Sequence, residues 1–156
     1  MTERTAEAAA TIEAPLDVVW TVMLDLDAYP AWNPFVVRVD GPAGRPAAVG
    51  DELVLHVRWA SGRGVTTRER VTRLDPPGAR REATLEYEFG GALATLGMVR
   101  GRRQQQLDEA SGSTRYRTSE RLHGLLAVAA PIGRVQDGFE RHAAALKAAA
   151  EAARAH

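Results

Sequence analysis

A single histidine near the C-terminus has a spacing that would place it on an apolar face. His142 lies between Phe139 and Leu146, three and four residues away, and residues at these intervals share one face of an α-helix. A histidine facing a cavity could give a proton to a ligand, or take one, near neutral pH. The alternative is a core histidine held by neighbouring polar groups. If His142 were replaced by leucine, retained binding or turnover with a normal melting temperature would exclude it from the site.

Two glutamates occur in segments with a strand-like alternation of side chains. Within 113–123, Glu120 shares a face with Tyr116 and Thr118, and partial burial would raise its pKa towards that of a general acid or base. The alternative role is a structural ion pair with a neighbouring arginine. Alternation also places Glu69 on an apolar-leaning face, but a single β-bulge would turn it to solvent. Exposure is the favoured interpretation for Glu69.

The segment MVRGRRQQQL, residues 98–107, is an unusual strand candidate because it is polar on both faces. Alternation places Arg103, Gln105 and Leu107 together. If that face lined a cavity, the guanidinium and amide groups would supply fixed donors to a ligand carbonyl, phenolate or carboxylate. The alternative is a polar edge strand whose charges prevent pairing with other sheets. Both interpretations are open at this point.

The short segment YPAWNPF, residues 29–35, contains three of the nine aromatic residues of the chain. Its two prolines exclude a regular helix or a central strand, so a short helix or turn is predicted. Trp32 is a candidate ligand contact or, equally, a packing anchor, and aromatic side chains elsewhere would add a wall suited to ring-bearing ligands. The candidate catalytic residues are His142, Glu120 and Arg103, and the candidate ligand contacts are Trp32, Asn33, Trp59, Glu69, Tyr87, Phe89, Gln105, Tyr116, Thr118 and Phe139.

The composition argues against several kinds of site. The chain has no cysteine, which removes disulfides, thiolate nucleophiles and cysteine metal ligands. Its four histidines are scattered and do not pair with carboxylates at ligand spacing, so no metal site is predicted. No glycine-rich phosphate loop occurs, and no cofactor is predicted. The 20 basic and 20 acidic residues balance, so there is no positive excess for nucleic acid or an anionic membrane.

The N-terminal sequence and the longest apolar run predict a cytoplasmic protein with no stable membrane insertion. The N-terminal sequence MTERTAEAAATIEA lacks a basic segment followed by an apolar run, so no signal peptide is predicted. The longest apolar run, GLLAVAAPIG, is too short to span a bilayer and contains Pro131. The length predicts one domain, residues 1–156, that is large enough to enclose a cavity.

The elements that would position the candidate residues follow an α+β order. The last segment has no proline, is rich in alanine and repeats apolar residues at intervals of three and four, which predicts a long amphipathic helix. Period-2 patterns separated by turn sequences predict antiparallel strands before it. Strands are predicted at 5–13, 35–40, 51–59, 64–74, 81–89, 98–107 and 113–123, and helices at 14–25, 29–35 and 134–154.

Five stretches, in their order and spacing, resemble the START-related (SRPBCC) superfamily, in its polyketide cyclase/dehydrase and lipid-transport branch. They are IEAPLDVVWTVMLDLDAYPAWNPF near the start, VGDEL opening a strand, RVTRLDPP closing one, GSTRYRTSE, and GFERHAAALKAAAEA in the last helix. The resemblance implies a helix-grip fold, in which a curved antiparallel sheet of about seven strands wraps around a long C-terminal helix, with two short helices after the first strand. It also implies a cavity for a hydrophobic or aromatic small molecule between sheet and helix.

The chain departs from its relatives at two candidate positions. The resemblance implies a phenylalanine where this chain has Gln105, and a methionine or leucine where it has His142. The family pattern also implies that Trp32 and Asn33 lie near the cavity entrance. Polar groups at positions that are usually apolar favour a chemically active or ligand-specific site.

Three functions are compatible with the fold, because it hosts binders, transporters and enzymes. The first is a cofactor-independent cyclase or dehydratase, in which His142, Glu120 or Arg103 moves protons or polarises a carbonyl of a folded substrate. The second is a non-catalytic carrier or sensor of a hydrophobic metabolite or lipid, which would have an almost wholly apolar cavity. The third is a cochaperone-like interaction module, which would need an exposed apolar patch or charged face. The inward polar residues favour the first function. The protein is expected to be a monomer or a homodimer.

Overall fold

The fold is one β-sheet with a long helix against it and two short helices after the first strand. The computed structural model describes residues 3–90, 96, 99–125 and 127–156. The strands in this part are β1 (Glu3–Ile12), β2 (Val36–Asp40), β3 (Glu52–Arg58), β4 (Gly64–Asp75), β5 (Glu82–Phe89), β6 (Arg100–Ala110) and β7 (Ser113–His123). The helices are α1 (Leu16–Leu24), α2 (Tyr29–Trp32) and α3 (Ile132–Arg154), with 3-10 turns at Leu26–Ala28 and Ala127–Ala129.

The seven strands are antiparallel and follow the order β1-β7-β6-β5-β4-β3-β2. Strands β2 to β7 form a meander, and β1 pairs with β7 at the far edge. Helix α3 buries Val135, Phe139 and Leu146, at the intervals of four and seven expected for its apolar face. The predicted α+β helix-grip architecture is therefore confirmed.

Strand β6 lies in the interior of the sheet, paired with β5 on one side and β7 on the other. The alternative that this segment is a polar edge strand is wrong. Its inward face contains Arg103, Gln105 and Leu107, all at most 3% exposed, so the predicted alternation is confirmed. Met98, at the start of the predicted strand, lies outside the described residues.

A tight turn fixes the register of the two strands that carry polar candidates. The loop between β6 and β7 has two residues, Ser111 and Gly112, with φ angles of 57° and 80°. Two consecutive positive φ angles are the signature of a type I′ turn, which matches the twist of a hairpin. The resulting register places Arg103 directly opposite Glu120.

A bulge in β4 decides which way Glu69 faces. The pairing with β5 shifts between Val71 and Arg73, so side chains change faces only after Val71. Glu69 precedes this point and stays on the concave face, where it is 7% exposed. The interpretation that Glu69 is exposed is wrong, because the bulge lies on the other side of it.

Side chains of α3 cover the free edge of β1. Gln136 forms two hydrogen bonds with the backbone of Glu7, accepting from its amide and donating to its carbonyl. Further along, Lys147 donates to the carbonyl of Thr11. An uncovered edge strand is a template for unwanted pairing, so these bonds both protect β1 and fix the helix along the sheet.

Close contact between α3 and the opening segment depends on a glycine. A Cβ atom at Gly138 would overlap the ring of Phe35, so this ring lies directly on the helix backbone. The same ring packs edge-on against Phe139, with centroids 5.9 Å apart. Helix α3 therefore packs directly against the Phe35 ring of the segment YPAWNPF, and only glycine leaves room for this contact.

No helix in the described part of the chain is long and apolar enough to cross a bilayer.

Candidate functional site

A cavity of about 290 Å³ lies between the concave face of the sheet and the first half of α3. Its wall is mainly apolar, and Glu69, Arg103 and Glu120 add the charged groups. Seven of the thirteen residues selected from the sequence line it: Trp59, Glu69, Tyr87, Phe89, Arg103, Glu120 and Phe139. Cavities of this kind, apolar with a few convergent polar groups, are typical of small-molecule sites.

Arg103 is held rigidly in the cavity wall. Its Nε donates to the Thr118 hydroxyl at 3.0 Å, and its Nη1 donates to the Tyr87 hydroxyl at 2.9 Å. The guanidinium also lies over the ring of Phe139, with its central carbon 4.3 Å from the centroid, which is a favourable cation–π arrangement. The cation is therefore fixed in position before any ligand arrives.

Glu69 is a carboxyl group that burial keeps protonated at neutral pH. Burial, and then the charge of Glu120, raise the pKa of Glu69 to about 8, against the opposing effect of Arg103. A neutral carboxyl group on a cavity wall is a proton donor to a ligand oxygen. The alternation of β4 predicted this position, and the location of the bulge preserves it.

Glu120 occupies space left free by a glycine on the neighbouring strand. A Cβ built on Gly101 would lie 3.3 Å from Glu120 Oε1 and 2.6 Å from a methyl carbon of Leu122. Burial raises the pKa of Glu120, while Arg103 lowers it. In the described part of the chain no ion pair joins Glu120 to an arginine, so the ion-pair alternative is contradicted. Glu120 and Arg103 instead interact through space, as directly opposed residues of β7 and β6.

His142 lies behind Arg103 and does not line the cavity. Its Nδ1 is 3.4 Å from Nη2 of Arg103 and 3.3 Å from Nδ2 of Asn33. Because both neighbours are donors, Nδ1 must be the acceptor, and the ring proton lies on Nε2. Burial, and then the charge of Arg103, lower the pKa of His142 well below its usual value. A neutral ring that is remote from the cavity positions Arg103 and is poorly placed to exchange protons with a ligand.

The segment YPAWNPF is connected to this network mainly through Asn33. Its Oδ1 accepts hydrogen bonds from the amides of Phe35 and Val36, both at 3.0 Å, which fixes the entry into β2. Trp32 packs edge-on against His142, with ring centroids 5.8 Å apart. Neither Trp32 nor Asn33 lines the cavity, so the structure favours the packing-anchor interpretation of Trp32.

Gln105, Tyr116 and Thr118 form a buried layer behind the cavity wall. The Tyr116 hydroxyl donates to Gln105 Oε1 at 2.6 Å, and Gln105 Nε2 donates to the Tyr87 hydroxyl at 3.3 Å. Tyr116 also stacks on the His142 ring, with the ring planes 11° apart. These three residues do not line the cavity, and neither do Trp32, Asn33 and His142. All six pack behind the residues that do, because the concave face of the sheet is larger than the cavity.

The chain matches one protein-family model over residues 3–151, that of polyketide cyclase / dehydrase and lipid transport proteins. It belongs to this family. Three solved structures show the same fold. Ginseng major latex-like protein 151 from Panax ginseng has a TM-score of 0.69 and 12% identity, and the alignment covers 97% of each chain. A norcoclaurine synthase point mutant from Thalictrum, in complex with a transition state analogue, has a TM-score of 0.63 and 14% identity over 96% of this chain and 94% of that one.

The third structure is the di-domain ARO/CYC protein BexL from the BE-7585A biosynthetic pathway. Its TM-score is 0.63 at 16% identity, and the alignment covers 99% of this chain and 50% of BexL. At such low identities these likenesses show the fold alone. No curated protein matches the chain in sequence.

Several apolar residues that line the cavity of this family member were not among the ligand contacts predicted from the sequence. The missed residues include Phe35, Leu55, Val57, Val99, Pro131 and Val135. Alternation in β3 placed Leu55 and Val57 on the correct face, and that signal could have identified them. Val99 and Pro131 lie outside helices and strands, where periodicity cannot predict which way a side chain points.

In the part of the chain that the structure describes, no group of three or more potential metal ligands occurs.

Proposed function

We propose that the chain binds a hydrophobic or aromatic small molecule in this cavity and catalyses its cyclisation or dehydration by acid–base chemistry. The main support for this proposal is that two carboxyl groups and a guanidinium line one apolar cavity. Glu69, with its pKa raised to about 8, would donate a proton to a ligand carbonyl. Glu120 would accept a proton from carbon, and Arg103 would stabilise negative charge that develops on oxygen.

Family membership and two of the similar structures support the same general kind of activity. BexL is described as an ARO/CYC protein, and norcoclaurine synthase binds a transition state analogue. The sequence prediction assigned the proton transfer to His142 as well. The proposal gives that role to Glu69, because Glu69 faces the cavity and His142 lies behind Arg103.

A non-catalytic carrier is the second candidate. It is favoured by the rest of the wall, where Phe35, Leu55, Val57, Val135 and Phe139 provide only apolar surface. Such a wall binds a hydrophobic ligand by burial of apolar area without chemistry.

Three expectations from the sequence stay predictions: a single domain over 1–156, a cytoplasmic location, and a monomeric or homodimeric state.

Binding is tested with the neutral fluorescent probe N-phenyl-1-naphthylamine. Val57 is 8% exposed and lines the cavity, so Val57→Phe should fill part of it and weaken binding at least ~10-fold. The matched control is Val54→Phe, on the outer face of the same strand, which should bind as the wild type does. Equal affinity in both variants would place the probe elsewhere and contradict the proposed site.

Catalysis is tested with 2-tetralone, a bicyclic aromatic ketone, by following hydrogen–deuterium exchange at C1 in D₂O by NMR. Removal of the C1 proton with protonation of the carbonyl oxygen gives the enol, and the reverse step introduces deuterium from solvent. Glu120→Gln should slow the catalysed exchange by about 10²-fold or more. Glu82→Gln, at an exposed position on β5, is the control. Binding of 2-tetralone without accelerated exchange would favour the carrier.

A further inference from the structure

Arg103 is a buried cation whose direct hydrogen-bond partners are all neutral. It is 3% exposed, and its bonds go to the hydroxyls of Thr118 and Tyr87 and to the ring nitrogen of His142. Burial raises the pKa of Tyr87, so this hydroxyl is not a phenolate. The guanidinium is therefore held in place by groups that do not cancel its charge.

No carboxylate is close enough to act as a counter-ion within the described part of the chain. None of the ion pairs there involves Arg103. Glu120 acts on Arg103 only through space. Burying a cation without a paired anion costs free energy. Glu120 offsets that cost only in part, because it attracts the guanidinium without a direct ion pair, so a paired anion from a ligand would add to the stabilisation of Arg103.

Arg103 belongs to the cavity wall. A guanidinium has five N–H groups, and three of them meet protein acceptors. The Tyr116 hydroxyl also interacts with the guanidinium, but no carboxylate does so by a hydrogen bond in the described part of the chain, and Arg103 lines the cavity. Phe139 holds the guanidinium plane from one side. Fixed donors with a full positive charge in an apolar cavity bind a carboxylate or another oxyanion well.

The geometry points to a ligand class: an organic anion with an apolar, ring-bearing body, whose acidic oxygen pairs with the guanidinium of Arg103. This inference rests on the proposed function and specifies the charge of its ligand. The aromatic wall at Phe35, Trp59 and Phe139 receives the body, and the cavity of about 290 Å³ suits a bicyclic skeleton. Of the two carboxyl groups on the wall, Glu69 does not repel the anion, because it is protonated at neutral pH. Glu120 is the other, and burial raises its pKa as well.

The test compares 2-naphthoate with 2-naphthamide, which have the same ring system and nearly the same shape but differ in charge. Isothermal titration calorimetry at pH 6.5 should give at least ~10-fold tighter binding of 2-naphthoate to the wild type. Arg103→Met should abolish that preference while still binding the amide. The matched control is Arg102→Met, on the outer face next in the chain and paired with Glu88, which should keep the preference.

The outcomes separate this inference from the proposed function. Equal affinity of the wild type for both compounds would overturn the anion inference, yet leave the cavity as a site for neutral hydrophobic ligands. Failure of both compounds, and of N-phenyl-1-naphthylamine, to bind would overturn the proposed function and the inference together. The comparison of two ligands on the wild type needs no variant, so misfolding of Arg103→Met would not prevent a decision.

Discussion

Replacing Glu69 with glutamine should remove a pH-dependent loss of stability. The unfolded chain ionises this carboxyl group near its ordinary pKa of 4.5, whereas burial raises the pKa in the folded protein to about 8. Between these values the folded state binds more protons than the unfolded state. The free energy of unfolding must therefore fall as pH rises, by about 1.4 kcal/mol per pH unit. The loss would approach about 5 kcal/mol at pH 8 and above.

A second buried group acts in the opposite direction over part of this range. Because the pKa of His142 lies well below 6.5 in the folded protein, the unfolded state gains a proton as pH falls below 6.5. His142 therefore lowers stability on the acid side and contributes nothing above it. The window from pH 6.5 to 8 isolates the carboxyl groups, and Glu69 alone should lower the stability there by about 2 kcal/mol.

The assay is urea unfolding followed by tryptophan fluorescence, at intervals from pH 5 to 9. Glutamine has the shape of a protonated carboxyl group and does not titrate, so Glu69→Gln should be more stable than the wild type at pH 8. Its curve should be flatter above pH 6.5, because the titration of Glu69 is removed. The exposed Glu82→Gln should follow the wild type. Parallel curves for wild type and Glu69→Gln would mean that Glu69 is ionised at neutral pH, and would refute it as the proton donor.

Two further predictions test the packing of α3. Gly138→Ala should lower the free energy of unfolding by about 1–3 kcal/mol, because its methyl group would overlap the Phe35 ring. The control is Gly133→Ala on the same helix, where the added methyl group meets open space. It should leave the stability unchanged or raise it by up to about 1 kcal/mol. His142→Leu should destabilise the protein at pH 7 by about 1–3 kcal/mol by leaving donors of Asn33 unpaired, and the difference should shrink below pH 6.5 in urea titrations. His142→Gln, which offers a new acceptor, should cost less, and equal losses in both variants would contradict the hydrogen-bond argument.

The sequence was informative where periodicity decides orientation. Alternation alone placed Arg103 and Gln105 on one face of β6, and their burial confirms that face. It also placed Glu120 on one face with Tyr116 and Thr118, and Glu120 lines the cavity. Alternation also placed Glu69 on the concave face, and the prediction that it is exposed was wrong because it assumed a bulge that would turn Glu69 outward. The position of a bulge depends on contacts between strands, and the bulge of β4 lies after Val71. The sequence of β4 contains no glycine near Val71 that would mark the irregularity.

Depth within the core is a second property that periodicity does not contain. Phe139 and His142 were predicted on one helix face, and both are almost fully buried. Yet Phe139 lines the cavity, and His142, less than one helical turn away, does not. The difference arises because Arg103 reaches from β6 into the space between them, over the Phe139 ring and against the His142 nitrogen. A long side chain from another element thus divides one helix face into a ligand wall and a structural layer.

The position of Arg103 also explains how the opening segment can influence a site that its polar side chains do not touch. Asn33 binds two backbone amides at the entry to β2 and donates to His142, which in turn accepts from Arg103. Displacement of YPAWNPF would therefore first change the tilt of the His142 ring, and through it the direction of the guanidinium. Since Thr118 and Tyr87 hold the other nitrogens of that group, the change would be a rotation about these two bonds. Substitutions in this segment should thus alter ligand orientation before they alter ligand affinity.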